Sequence, residues 1–307
     1  MKKDPTKTLY LRNALVAQIN KRFAQLKKEL RKLLITNDAF GLKKIKKQKL
    51  FNIKEWAYRS DPEKVDEFVK WLKSQSKAGI LERVKNPITG ELDPWINSYI
   101  QTAYQKGILS ARNELIAEGI ELPPVSVGGV GISVAFNQPI HVSKLKLLYT
   151  RIFSDLEGVT EVMSRQMSRV LSLGLAEGKG IYQIAKELAD RVNKIGITRA
   201  RLIARTEIVR TYNIGALNEY EVLEPIIGEK ILVQWWTALD ERVRSAHANR
   251  HGKIYIRKKA EGLLGEPNCR CALLPYMKSI SGDPKKVAKR ENRIGKAKIK
   301  KMKEKEG

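Results

Sequence analysis

The sequence predicts an α+β protein that is mainly helical, with a small sheet in the C-terminal half packed on a long helix. Three observations lead there. Apolar residues recur at helical spacing through most of the first 225 positions. From Ile231 the period switches towards two. The last 31 residues are basic, and no apolar stripe is evident in them.

Residues 7–35 form the first expected helix, with Leu11, Leu15, Ile19, Phe23, Leu26, Leu30 and Leu33 on one face. Arg12, Lys21, Lys28 and Arg31 are expected on the solvated face. Gly41 breaks the pattern before a dense run holding Lys43, Lys44, Lys46 and Lys47. Asp61-Pro62 and Asp93-Pro94 each pair a capping acceptor with a proline at the first helical position, so each is read as a helix start. Ile96, Ile100, Ala103, Ile108, Ala111 and Leu115 line the second of these helices, and Gly119 ends it.

Residues 121–142 are rich in glycine and proline and are expected to be a loop or irregular hairpin between a basic helical region, 1–120, and a second domain, 143–276. In the second domain, helical stripes run through Leu145, Leu148, Ile152 and Leu156, then Val159, Met163, Met167 and Leu171. A compact helix is expected over 181–192. Thr198 is expected to cap a long helix ending near Pro225. Residues 231–236, 252–256 and 271–276 are the strand candidates. Residues 277–307 are expected to be a flexible tail.

The net charge of +26 is uneven: residues 1–59 carry +13, residues 277–307 carry +8, and the 217 residues between carry only +5. Such ends attract polyanions such as nucleic acid, or form solvated faces. Lys285, Lys286, Lys289, Arg290, Lys298, Lys300 and Lys301 are the C-terminal candidates for phosphate contact, beside the lysines at 43–47. Two cysteines one residue apart argue against a disulfide framework. No stretch approaches the roughly 20 apolar residues of a membrane span, so no membrane partner is expected. The N-terminus lacks the apolar run of a signal peptide, so use without signal-dependent secretion is expected.

The densest chemistry lies between Thr198 and Pro275. Arg205, beside the apolar stripe of the long helix, is expected to be partly buried and paired with Asp240, rather than to form a catalytic pair with Glu207. His247 and His251 are four apart and would share a helix face. With Cys269 and Cys271 they offer two imidazoles and two thiolates, a reasonable structural zinc set. The alternative is a pair of reduced, packed thiols with no cofactor, since paired zinc cysteines prefer wider spacing. A nucleophilic cysteine with His247 as its base lacks an evident third group. The Gly-Gly-Val-Gly at 128–131 lacks the lysine and spacing of a phosphate-binding loop, and no metalloprotease or hydrolase signature occurs.

The order ARTE, then WWTALDERVRSAH with a glycine five residues on, then PNCRCALLP resembles the phage Mu F-like head morphogenesis family. The residues carrying the likeness are Arg205, Glu207, Trp235, Asp240, Arg242, Arg244, His247, Gly252, Asn268, Cys269 and Cys271, and it covers roughly residues 150–276. His251 is outside the pattern. The resemblance implies a minor capsid protein of a tailed virus or prophage, not an enzyme. It implies a place inside the virion head at the portal vertex, reached from the host cytoplasm during assembly, and a part in head assembly or DNA delivery. Its implied partners are the portal protein and genomic double-stranded DNA, with scaffold or major capsid protein as further contacts. A sequence-nonspecific nucleic-acid-binding protein is the alternative reading, and a zinc-dependent enzyme a third.

Overall fold

A computed structural model describes residues 4–42, 62–86, 90–124 and 133–304. The lysines at 43, 44, 46 and 47, the Asp61 cap and the glycines at 128–131 lie outside them. The chain is α+β and mainly helical. It forms two compact units, one of Met1–Asn13, Asn97–Thr150 and Ala204–Gly307, the other of Ala14–Ile96 and Arg151–Ile203.

Among the described residues, the second unit is helical apart from one short hairpin. Helix α1 (Leu9–Arg31) continues as a π-helical turn, Lys32–Thr36. Leu15, Ile19, Phe23, Leu26 and Leu30 are buried as the spacing predicts, and Leu34 rather than Leu33 takes the last buried place. Helix α2 (Pro62–Ala78) begins at the proline expected to start it. Asp93-Pro94, by contrast, does not start a helix. These residues belong to strand β2 (Leu92–Pro94), which pairs antiparallel with β1 (Arg83–Lys85). The Asp93 carboxylate accepts a hydrogen bond from the Asn86 amide at 2.8 Å instead of capping a helix. Helix α3 (Asn97–Ala117) starts three residues later and ends before Gly119, whose φ of 86° is the left-handed conformation expected there.

A short helix α4 (Ser133–Phe136) and the start of α5 (Pro139–Ala176) occupy part of the stretch expected as a loop. Met163 and Met167 of α5 are core residues. Helix α6 (Ile181–Arg191) buries Ile181, Ile184, Ala185 and Leu188. Thr198 does not cap the next helix: a π-helical stretch, Val192–Ile197, leads without a break into α7 (Thr198–Ile227). Its hydroxyl instead donates back to the Asn193 carbonyl at 3.1 Å. Pro225 lies inside the last turn of α7, which ends before Gly228.

In the first unit, α7 is buried on every side over residues 211–220, so it is a core helix rather than an amphipathic one. It crosses α3 at very close range. A Cβ on Gly107 would lie 2.0 Å from the Tyr212 carbonyl oxygen, and one on Gly215 would lie 2.3 Å from that of Tyr104. Strand β3 (Leu232–Trp236) is the centre of a three-stranded antiparallel sheet, between β4 (Ile254–Tyr255) and β5 (Ala272–Tyr276). Val233 and Trp235 face the core with Leu217, Tyr220 and Leu273, while Leu232, Gln234 and Trp236 on the other face are only half-buried. Helices α8 (Ser245–Arg250) and α9 (Arg257–Glu261) flank β4.

The C-terminal segment is ordered. After a short α10 (Lys278–Ser281), helix α11 (Pro284–Lys303) starts on a third Asp-Pro pair, with the Asp283 carboxylate accepting from the Lys286 amide at 2.9 Å. Its inward stripe is Asn292, Gly295 and Ile299. Two of those are polar or small, so no apolar periodicity betrays it. Asn292 donates to the carbonyls of Ala248, Asn249 and His251 at 3.3, 3.1 and 2.7 Å, which ends α8.

The glycine crossing has a direct test. Gly215→Ala is expected to cost about 3 kcal/mol or more, because backbone must move to admit the methyl. Gly158→Ala, on a part of α5 where a Cβ meets nothing within 4 Å, is expected to stabilise by roughly 0.5–1 kcal/mol. Denaturant unfolding of the two variants measures both, and equal effects would contradict the crossing.

Candidate functional site

The charged turn after β3 and the approach to β5 meet above the sheet. Asn213 on α7 fixes that approach. Its amide donates to the Cys271 carbonyl at 2.9 Å and accepts from the Leu273 amide at 2.8 Å. Thr206, two turns back on the same face of the helix, accepts from the Asn268 amide at 3.1 Å. Asn268 itself has a φ of 55°, a conformation that asparagine tolerates better than most residues. Cys269 and Cys271 are thereby held just before the strand, both buried and both free.

His247, on α8, is the buried residue that faces them. Its Nδ1 lies 3.2 Å from the Cys271 sulfur and 3.6 Å from the Cys269 sulfur. Its Nε2 lies 2.6 Å from a Glu266 carboxylate oxygen. The other Glu266 oxygen accepts from Arg250, whose guanidinium also lies over the Trp235 ring at 5.3 Å. Arg244 approaches the same carboxylate at 3.5 Å and donates to the Pro267 carbonyl at 3.0 Å. The hydrogen bond with Cys269 raises the His247 pKa against the downward push of burial, and Glu266 adds to the rise. Cys271 holds the Cys269 thiol well below its usual range against the upward push of burial, with help from His247. Cys271 is driven well up by Cys269 and by burial.

His251 is not part of this cluster. The four-residue spacing would align it with His247 only if the helix continued. Instead α8 ends at Arg250, and His251 leaves it with φ −54° and ψ 131°. Its ring packs 4.6 Å from Trp236, on the opposite face of β3 from Trp235 and His247. Its Nδ1 accepts from the Thr237 amide at 3.2 Å. A Cβ on Gly295 of α11 would come within 2.1 Å of the imidazole, so the helix closes directly over it. Gly252, with φ 75°, is the next residue, and a Cβ there would lie 2.5 Å from Glu291.

The expected Arg205–Asp240 pair is also replaced. Arg205 is exposed on α7, and the buried Asp240 is held by Arg270 in a two-point bridge of 2.5 and 2.6 Å, with Arg242 at 3.3 Å. Burial pushes the Asp240 carboxyl up, but Arg270 and then Arg242 outweigh it and hold the pKa below its usual value. Glu207 is buried, with Arg210 at 3.9 Å. Arg270 and Glu266 were missed by sequence reasoning. The signal for Arg270 was present, since the residue between two inward cysteines in an extended segment must point away from them. Nothing in the spacing of Glu266 marks it.

The profile of the family described as Phage Mu protein F like protein matches residues 165–274, which hold every residue of this cluster. Residues 165–274 are thus similar to the Phage Mu protein F-like family. A stretch of 114 residues is also 30% identical to an uncharacterised protein of Methanocaldococcus jannaschii. That stretch is 36% of this chain and spans only 17% of the relative. No solved structure matches. Within the matched stretch, the motif residues Trp235, His247, Cys269 and Cys271 converge on the sheet's core or on one another, and Asp240 is bridged by Arg270. Arg242, Arg244 and Asn268 are exposed at the rim.

Substitution tests these pairings. Arg270→Ala, which leaves Asp240 buried and short of its main partner, is expected to destabilise by about 3 kcal/mol. Arg205→Ala should stay within about 0.5 kcal/mol; denaturant unfolding separates them, and the reverse order would restore the Arg205 pairing. Burial lowers the His251 pKa to about 4, with Glu291 raising it and Lys298 lowering it more weakly. The unfolded chain then takes up this proton first. Stability is full above about pH 6.5 and declines as pH falls towards about 4, by on the order of 3 kcal/mol for this group. Melting curves across that range should be steeper in pH for the wild type than for His251→Asn.

Proposed function

We propose that the protein is a minor head protein of a tailed virus or prophage, held inside the head at the portal vertex and acting in head assembly, DNA delivery or both. The observation that carries this reading is the match of residues 165–274 to the Mu F-like family, which supports a role in phage head morphogenesis. Portal protein and genomic double-stranded DNA are the proposed partners, with scaffold or major capsid protein as further contacts. No helix among the described residues is long and apolar enough to cross a membrane.

The charged surface supports the DNA part of the reading. Lys285, Lys286, Lys289, Arg290, Lys298, Lys300 and Lys301 are all exposed on α11, whose other face is taken up by the domain. A helix of 20 residues is about 30 Å long, so this face can follow several phosphates. Contacts of that kind bind tightly at low salt and read no sequence. The same face favours a second reading, in which the chain binds nucleic acid without any capsid.

Mass spectrometry of purified particles, before and after induced DNA release, tests the head reading. The expected result is the chain at low copy in full particles. Its absence from full and emptied particles alike, with tight DNA binding by the isolated protein, would favour the second reading. Separately, exchanging the seven α11 cations for glutamine should weaken DNA binding at least roughly tenfold at low salt. It should also flatten the salt dependence, by about 0.9 in log–log slope for each phosphate no longer neutralised. Unchanged binding would remove α11 from the DNA interface.

A further inference from the structure

The His247, Cys269 and Cys271 cluster has a geometry that packing alone does not require. We propose that these three side chains bind a single zinc ion, with a water in the fourth position. The donor atoms lie within 4.8 Å of one another, and all three residues are buried. Tetrahedral zinc, with bonds of about 2.0–2.1 Å to nitrogen and about 2.3 Å to sulfur, sets its nitrogen and sulfur ligands roughly 3.5–3.6 Å apart. The observed separations, 3.2 and 3.6 Å from Nδ1, lie close to that value.

The surroundings complete the arrangement. Nε2 lies 2.6 Å from the Glu266 carboxylate, with the Arg244 guanidinium 3.0 Å from the same nitrogen; with the ring proton on Nε2 and given to Glu266, the Nδ1 lone pair is directed at the sulfurs. A carboxylate on the far nitrogen is the usual way a zinc histidine is oriented, and Arg250 holds that carboxylate in turn. A space of about 30 Å³ beside the trio, lined also by Ala238, Val243 and Asn268 and by Arg242, Arg244 and Arg270, has room for one water; two thiolates would offset the charge of the ion among these cations. Imidazole with two thiolates is a donor set that suits zinc.

Two other uses of the same atoms fit less well. Glu266, His247 and Cys271 are ordered as orienter, base and nucleophile, and Glu266 is the third group the sequence did not reveal. A nucleophile must reach its substrate, however, and both sulfurs are buried, on a narrow cleft that Arg242, Arg244 and Arg270 also line. Two packed thiols would be at home in this core, but would need neither the imidazole nor its carboxylate. The zinc set of four residues expected from the sequence is thus replaced by three residues and solvent, with His251 on the far side of β3. The ion would staple α8 to the start of β5. The inference is independent of the head-assembly reading.

The test uses the full chain, untagged and purified in reductant. Elemental analysis should give about one zinc per chain. Stripping with a chelator should lower the melting temperature by roughly 5 °C or more. Cobalt(II) added to the stripped protein should give the visible bands of a tetrahedral site together with thiolate charge transfer. Cys269→Ser and Cys271→Ser should lose the metal, and His251→Asn should keep it. Wild-type protein with less than about a tenth of a zinc per chain, and no tetrahedral cobalt spectrum on reconstitution, would overturn the proposal, as would full zinc retention in the Cys269→Ser/Cys271→Ser double variant. The cobalt measurement needs no substitution, so misfolding of the serine variants does not blur the result.

Discussion

The contact between α3 and α7 at Gly107 and Gly215 sets the position of nearly everything in the first unit. Each glycine sits where a side chain would collide with the other helix's backbone, so the two helices touch through their main chains. That places α7 deep enough to be buried on all sides, and a helix so placed must satisfy its polar residues internally. Asn213 does so by acting as a neighbour to β5, exchanging two hydrogen bonds with its backbone. Thr206 does so on the amide of Asn268. The cysteines are held from behind by the helix, not by the turn that contains them.

The same logic governs the buried charges. Glu219 on α7 accepts from Arg112 of α3 at 2.5 Å and faces His141 of α5 at 3.0 Å. Tyr104 bridges from His141 to Asn218 at 2.9 and 2.7 Å. Every member has a partner, the condition under which a buried polar network can be kept. Asp240 with Arg270, and Glu266 with His247 and Arg250, repeat the pattern nearer the surface. These groups are ion pairs that fix loop geometry. A reading of the motif as a set of reactive charges would mistake structure for chemistry in all but the His247–cysteine cluster.

What the sequence made legible was decided by local physics. Helix α3 and strands β3, β4 and β5 follow apolar periodicity closely, and Gly119 stops its helix for the backbone reason expected of glycine, whereas α7 runs past the expected stop at Pro225 to Ile227, before Gly228. The misses have equally definite causes. Asp93-Pro94 carries a good capping signal, but pairing with β1 claims its backbone. Thr198 carries another, but the π-helical turn before it lets the chain continue as helix. Arg205 and His251 were assigned from spacing along ideal helices. One lies on the exposed face of α7, and the other falls just past the end of α8. Helix α11 was illegible because Ile299 is the one large apolar residue buried on its inner face, beside Gly295 and Asn292, which serve close approach and the capping of α8.

That inner face explains why the outer one can be so basic. A segment with this charge would gain little from burying an apolar stripe, and repulsion among its lysines opposes helix formation. The helix is held by a few contacts: Asp283 at its start, Asn292 on three carbonyls, Gly295 against His251, and Ile299 among Ala238, Leu239 and Val243. Each uses a group that carries no positive charge, so the lysines and arginines are left to solvent. The exposed lysines and arginines of α11 are thereby carried on an ordered helix. A polyanion meeting α11 would find its cations already ordered along one helix face and would not have to supply the cost of ordering that backbone.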